Sequence, residues 1–354
     1  MIKFKALDRF YLDNKEQIDN VYQSVFLSGN HVDGDYCRSV EEKIKLITGR
    51  KHATVVTSGT SAILTAMLAL DLQNKSVAVA NYSYIASANQ AALQNNIKLV
   101  DVDSNGILIS SSIPRCDAVV PVSLYGNTPD YDNLPYTTIV SDCAQSLGSK
   151  YKGNPEGSFG DIAVFSFSGN KPVPTSGTAG VLVWDDDKLT ERVLLASKNG
   201  KLSRNTPITS LGINAEPFEL QAGIVDIGLD YMLDWQAQRE AVHQYYADQF
   251  YNLPVNLIEP AKYCTSNRHK FVLITNQRDQ LHSYLNENGI ESQKHYTDNF
   301  ADFFDPGTGQ NYPGTSRLCQ SALSLPNHQW LTDSEVETIA HTLQNFFKKR
   351  LTAL

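Results

Sequence analysis

The stretch Ala53-Thr-Val-Val-Thr-Ser-Gly-Thr-Ser-Ala62, continued by ILTAMLAL (63–70), decides the fold. A short β-branched run gives way to a polar turn containing glycine, and then to a run of good helix formers. The β-branched half of this unit recurs along the chain. VAVA (77–80), IKLVDVD (97–103), DAVVPV (117–122), TTIVS (137–141), DIAVFSF (161–167) and AGVLVW (179–184) alternate with helical or turn-rich segments. The early runs are apolar throughout, as strands covered on both faces of a largely parallel sheet should be. The expectation is an α/β fold in three layers, with a mostly parallel seven-stranded sheet between helices.

On the N-terminal side the first fifty residues read as helical, with Val21, Val25, Val40, Ile44 and Ile47 at amphipathic spacing. Beyond Gly212 a long helix is expected from Phe218 to Tyr251, then a smaller α+β region. That region holds one strand, HKFVLI (269–274), the loop FFDPGTGQNYPGTS (303–316), and a closing helix from Asp333 to about Lys349 announced by Thr332-Asp333-Ser334-Glu335. We expect a large domain over residues 1–235, including the N-terminal helical segment, and a small C-terminal domain over 236–354.

The bulk numbers narrow the class. The chain has 354 residues, 42% hydrophobic and 19% charged, as globular proteins do. A net charge of −8 argues against nucleic-acid binding. No window approaches the length of a membrane span, and MIKFKALDRF has charges where an export signal needs an apolar run, so a cytoplasmic protein is expected. Cys37, Cys116, Cys143, Cys264 and Cys319 are scattered and odd in number, which argues against a disulfide framework. The histidines form no metal-ligand cluster, no P-loop motif is present, and GTGQNYPG (307–314) follows no clear strand.

Three segments could carry chemistry. Thr57-Ser58-Gly59-Thr60-Ser61 follows a strand and opens a helix, whose free N–H groups and dipole suit a phosphate; such turns also cap helices without binding anything. Asp142 ends the strand TTIVS, where it could hold a positively charged ring nitrogen or simply cap the next helix. Lys171 stands in a Gly/Ser/Thr/Pro loop after the strand ending at Phe167, placed either to attack a carbonyl or to sit in solvent. All three lie at strand ends of one sheet. Together they match what pyridoxal 5′-phosphate (PLP) requires: an anion site, an acid partner and a Schiff-base lysine.

The residues around these points resemble the DegT/DnrJ/EryC1/StrS family of PLP-dependent nucleotide-sugar aminotransferases, which have the fold-type I (aspartate-aminotransferase-like) fold. The likeness runs nearly end to end: LSGNHVDGDYCRSVEEKI, TSGTSA, NYSYIASAN, PVSLYGN, SDCAQSLGSKYKG, GSFGDIAVFSFSGNK, LGINAEPFELQAG, GIESQKHYTDN and ALSLPNHQWLTDSEV. The resemblance implies that Lys171 bears the cofactor and shuttles the proton, and that Asp142 pairs with the pyridine nitrogen. It implies Gln145 near the 3-hydroxyl, Gly59, Thr60 and Ser166 at the phosphate, and Tyr84 against the ring. Asn214 would reach the phosphate of a neighbouring subunit in a homodimer, and His295 would touch the sugar nucleotide. His269 and His328 are read as structural.

The implied reaction takes nitrogen from an amino acid, glutamate by expectation, and delivers it to the C3 or C4 ketone of a nucleotide-linked deoxysugar, in two half reactions. Products of this class feed surface glycans such as O-antigen lipopolysaccharide. Several positions depart from the family pattern: Ser123 stands where many members have His, Thr178 replaces a Glu, Glu216 an Arg, and Pro172 and Pro174 stiffen the loop after the lysine. Two alternatives stay open. One is a sugar dehydratase on the same fold, a branch in which histidine replaces the lysine. The other is a non-catalytic sugar-nucleotide-binding relative.

Overall fold

The computed structural model describes residues 1–351, apart from 94, 136, 204 and 308. Helices α1 (Leu7–Asp13), α2 (Lys15–Ser28) and α3 (Asp35–Thr48) precede β1 (His52–Val56) and α4 (Gly59–Ala69). Then come β2 (Ser76–Ala80), α5 (Ala86–Ala92), β3 (Asn96–Val100), β4 (Ala118–Val120), β5 (Thr138–Asp142) and the hairpin β6 (Lys150–Tyr151) and β7 (Asn154–Pro155). The large sheet is completed by β8 (Ile162–Ser166) and β9 (Gly180–Trp184), before α6 (Asp187–Ser197) and α7 (Glu219–Asp230).

All seven expected runs form one sheet, in the order β1-β9-β8-β5-β4-β2-β3. The neighbours from β8 to β3 are parallel, and β9 runs antiparallel to β1 and β8. Side-chain alternation divides the core between the faces. Ile162 and Val164 of β8 pack with Ala62, Ala66 and Val193 of α4 and α6, whereas Ala163 and Phe165 pack with Val40 and Ile44 of α3 and Val225 of α7. The central strands, covered on both sides, are therefore mostly apolar, which is what made the runs readable.

The remaining elements are α8 (Met232–Phe250), β10 (Asn256–Leu257), β11 (Cys264–Thr265), β12 (Phe271–Ile274), α9 (Arg278–Glu287), α10 (Ala301–Phe304), α11 (Pro313–Ser321), β13 (Ala322–Leu325) and α12 (Asp333–Leu351). Strands β10, β12 and β13 form a second sheet, and α8, α9 and α12 cover it through Tyr246, Phe250, Leu281, Leu285, Ile339 and Leu343. The expected cap of α12 is present: Glu335 N donates to Thr332 Oγ1 at 3.2 Å and Thr332 N to Glu335 Oε2 at 2.9 Å.

Three expectations need correction. The helix from Phe218 to Tyr251 is two helices, broken at Tyr231 (φ −98°, ψ 0°). Helix α7 packs closely on α2, where a side chain at Gly223 would meet Val21 Cγ1 at 2.4 Å, while the far end of α8 belongs to the second core. The apolar spacing continues across the break and hides it. The loop 303–316 instead contains the end of α10 and the start of α11, with Pro313 in the first turn. The run ALSL is a strand, β13, too short to separate from a buried turn by pattern.

Candidate active site

The β1–α4 turn is a capping box: Ser61 N donates to Ser58 Oγ at 3.0 Å, and Ser58 N to Ser61 Oγ at 2.9 Å. That satisfies one of the first helical donors and leaves the N–H groups of Gly59 and Thr60, at the first two helical positions, without intrahelical acceptors. Glycine at 59 has a tertiary reason. A Cβ there would lie 2.7 Å from Ser166 Cβ, so only glycine lets the helix end close on the end of β8. The backbone approach expected for a ligand is thus taken up first by Ser166.

Asp142 ends β5 with 3% of its surface exposed. Ser87 Oγ donates to Oδ2 at 2.6 Å and the Ala144 N–H to Oδ1 at 3.1 Å, so the carboxylate is fixed rather than capping a helix. Burial raises the carboxyl above its ordinary pKa, opposed by these hydrogen bonds and by the charge of Lys171. Gln145 is held from two sides: its Oε1 accepts from Tyr125 N at 3.0 Å, and its Nε2 donates to Tyr296 Oη at 3.2 Å.

Lys171 sits in the turn after β8, its N–H donating to Ser168 O at 2.9 Å. Burial pushes its ammonium down to about 8, partly offset by Asp142. A lysine so placed has a substantial neutral fraction near neutrality, which is what carbonyl attack needs.

These residues converge. Gly59, Thr60, Tyr84, Asp142, Gln145, Ser166 and Lys171 line one cavity of about 300 Å³ at the strand ends. Tyr84 is 54% exposed at its mouth, with Tyr296 6.4 Å away between ring centroids. Asn214 lies elsewhere in this chain, exposed and bridged to Lys198. The ring of His295 does not line the cavity: it is 8% exposed, shares a hydrogen bond with Ser324 Oγ at 2.8 Å and lies beside Phe4. Its neighbour Tyr296 lines the cavity wall instead. His269, read as structural, does line the cavity.

Lys5, Lys270 and Tyr296 complete the wall and were not singled out from sequence. Tyr296 stands in the quoted GIESQKHYTDN, and Lys270 directly precedes the apolar β12, which is the one signal that could have marked it. Among the departures, Ser123 Oγ donates to buried Glu156 at 2.9 Å, and Thr178 Oγ1 to Thr57 O at 2.8 Å. Arg239 Nη1 reaches Pro172 O at 3.4 Å, tying the lysine loop to α8. Among the described residues there is no cluster of groups able to hold a metal, and no helix is long and apolar enough to cross a membrane.

The site fits PLP on its own geometry: open N–H donors at a helix end beside Ser166, a buried carboxylate and a lysine, all on one cavity.

Comparison with known proteins shows the family. The chain is 28% identical to the erythromycin biosynthesis sensory transduction protein EryC1 of Saccharopolyspora erythraea, over 97% of this chain and 99% of the relative. It is 28% identical to a dTDP-3-amino-3,4,6-trideoxy-alpha-D-glucose transaminase of Streptomyces venezuelae, over 83% and 82%. The fold superposes on a crystal structure of S. venezuelae DesV in complex with a ketimine intermediate, with a TM-score of 0.92, 26% identity and 98% of each chain covered. The model of the DegT/DnrJ/EryC1/StrS aminotransferase family matches residues 12–344. The chain belongs to that family of PLP-dependent aminotransferases.

Proposed function

We propose that this aminotransferase binds PLP and moves an amino group from glutamate to the C3 or C4 ketone of a nucleotide-linked deoxysugar. The observation that carries the reading is the meeting of Lys171, Asp142 and the α4 N-terminus on one cavity. The substrate class rests on relatives named as sugar transaminases, among them that of S. venezuelae.

When bound, PLP supplies an electron-withdrawing ring that carries the amino group between donor and acceptor. Each residue then has a task. The N–H groups of Gly59 and Thr60, with Ser166 Oγ, hold the phosphate. Asp142, oriented by Ser87 and Ala144, balances the charge on the ring nitrogen. Gln145 bounds the 3-hydroxyl side, and Tyr84 covers one face of the ring. Lys171 Nζ would hold the cofactor and, when free, would take and return the proton at the reacting carbon. Asn214, exposed and away from this chain's own cavity, reaches the phosphate of a second subunit, which makes the enzyme a cytoplasmic homodimer. Its products are amino-deoxysugars for surface glycans such as O-antigen lipopolysaccharide. We divide the chain at 235/236, inside α8, whose Met232 joins the first core and Phe250 the second.

The test is the visible absorbance of the protein reconstituted with PLP. Glutamate should bleach the resting band, and a nucleotide-linked keto sugar should restore it with formation of an aminated sugar. Cofactor bound but unmoved by any amino acid would leave a binding protein. Restoration with loss of the sugar hydroxyl and no amination would mean a dehydratase.

A further inference from the structure

Next to the main cavity, with Lys171 in the wall of both, lies a smaller one of about 40 Å³. The two share Lys5, Asn170, Lys171, His269 and Lys270. The phosphate turn lines only the first, and Arg239, Asn327 and His328 line only the second. The charges here are one-sided. Asp142 is the sole carboxylate lining the main cavity, and none lines the smaller one.

Among the described residues, Lys5 and Lys270 have no ion-pair partner; the ammonium of Lys270 lies 4.7 Å above the centre of the Phe4 ring. Arg239 is 2% exposed, and its Nε and Nη1 donate to Asn267 O and Gln329 Oε1, each at 3.2 Å. Its Nη2 has no acceptor. His328 Nδ1 and Asn327 Oδ1 are likewise buried without partners. Arg239 is buried and Lys270 half-buried, with exposed Lys5 at the edge; holding positive charge in such places without an opposite charge is costly, so this wall suits an anion that arrives from outside.

The cofactor does not account for it. Its phosphate has the α4 N-terminus and Ser166 at the other end of the cavity, and Lys171 is committed to its carbon. Two anionic sources remain among the substrates. A nucleotide-linked sugar carries its diphosphate on the far side of a sugar ring from the reacting carbon, and a diphosphate is too large for a side cavity of this size. The α-carboxylate of an amino acid is one bond from the carbon that Lys171 serves, and a carboxylate fits a space that holds one or two waters.

We infer that the side cavity is a carboxylate-binding subsite for the amino donor, read by Lys5 and Lys270 over a floor of Arg239. It rests on the aminotransferase reading above. The side cavity takes one carboxylate, but Lys5 and Lys270 line both cavities and can face a second one from the main-cavity side, so the subsite favours a dicarboxylic donor over its amide. Lys270 and Lys5 are binding residues here, distinct from the proton-moving Lys171.

The test is calorimetric titration of the PLP-loaded protein with glutarate, which has both carboxylates and no amine, and with its monoamide. Glutarate should bind about tenfold or more tighter than the monoamide, and 0.5 M salt should narrow the difference. Lys270→Leu should weaken glutarate by roughly tenfold or more and Lys270→Arg should restore most of it. Lys5→Gln, at an exposed position that cannot compromise the core, should give a smaller loss in the same direction.

Glutarate affinity unchanged in both Lys270→Leu and Lys5→Gln overturns the subsite. So does a Lys270→Leu enzyme slowed only towards an acceptor sugar that bears a carboxylate, which would assign the lysine to the sugar. Glutarate binding that depends on Lys270 in a protein unable to aminate any keto sugar would keep the subsite and sink the function proposed above.

Discussion

Ser87 Oγ, on α5, donates to Asp142 Oδ2, at the end of β5, across a 2.6 Å hydrogen bond between residues 55 apart in sequence. With the Ala144 N–H on the other oxygen, this bond sets the direction in which the carboxylate faces the cavity. Ser87→Ala should therefore lower turnover by at most about tenfold, the worth of one hydrogen bond, and weaken PLP binding slightly. Steady-state kinetics with titrated cofactor would check this; wild-type values would mean that Ala144 alone orients Asp142.

Removing the charge itself should be far more damaging. Asp142→Asn keeps the shape and the Ser87 contact, and we expect turnover to fall on the order of 100-fold or more with weaker cofactor retention. Unchanged rates would mean that another group balances the ring nitrogen.

Lys171→Ala should abolish amino transfer and leave the fold intact, since Lys171 lies in a turn outside the packed clusters. Circular dichroism and thermal melting report the fold, and single-turnover assays the chemistry. Measurable turnover at the wild-type rate would remove Lys171 from the mechanism.

The cofactor-free protein should carry a pH signature of the same lysine. Its folded-state pKa, about 8, lies below the ordinary 10.5. Between these values the unfolded chain binds the extra proton, so stability from this group rises with pH across that window, and below pH 8 the burial cost is fully felt. Apo Lys171→Met should therefore melt higher than the apo wild type at pH 7, with the gap shrinking as pH climbs past 8. A gap independent of pH would show that the lysine is solvated in the apo protein.

Stability should depend strongly on Glu219, a residue with no part in the cavity. Its carboxylate is 3% exposed and accepts the N–H groups of Gly34, Tyr36 and Cys37 at 2.7, 3.0 and 3.0 Å, capping α3 from the start of α7. Glu219→Ala strands two buried donors and a part-buried one and should cost about 3 kcal/mol in urea denaturation. A loss under 1 kcal/mol would mean that water replaces the carboxylate.

The large sheet was legible because its central strands are buried on both faces, which gives short β-branched runs, set apart by composition from the Ala- and Leu-rich apolar run of α4. The candidate cofactor residues drew notice for a related reason. Asp142, Lys171 and Gly59 sit at strand or helix ends, and strand ends on one edge of a sheet must converge. The break at Tyr231 was hidden, because apolar spacing continues through it while the two helices serve different cores. The ring of His295 lies off the cavity and Tyr296 lines it, a difference of one residue in a loop, where no periodicity tells which side chain faces inward.

The sequence by itself determined the sheet, the order of its strands along the chain, and the chemistry at strand ends, because local pattern and short-range turns carry that information. Only the tertiary structure decided what surrounds that chemistry. Ser87 meets Asp142, Ser166 closes on Gly59, and Lys5, Arg239 and Lys270, from three separate parts of the chain, line one small cavity beside Lys171. Contacts between residues tens to hundreds of positions apart leave no periodic trace. They arise when buried polar and charged groups must find partners as separate elements pack, and only the packed chain shows which ones do.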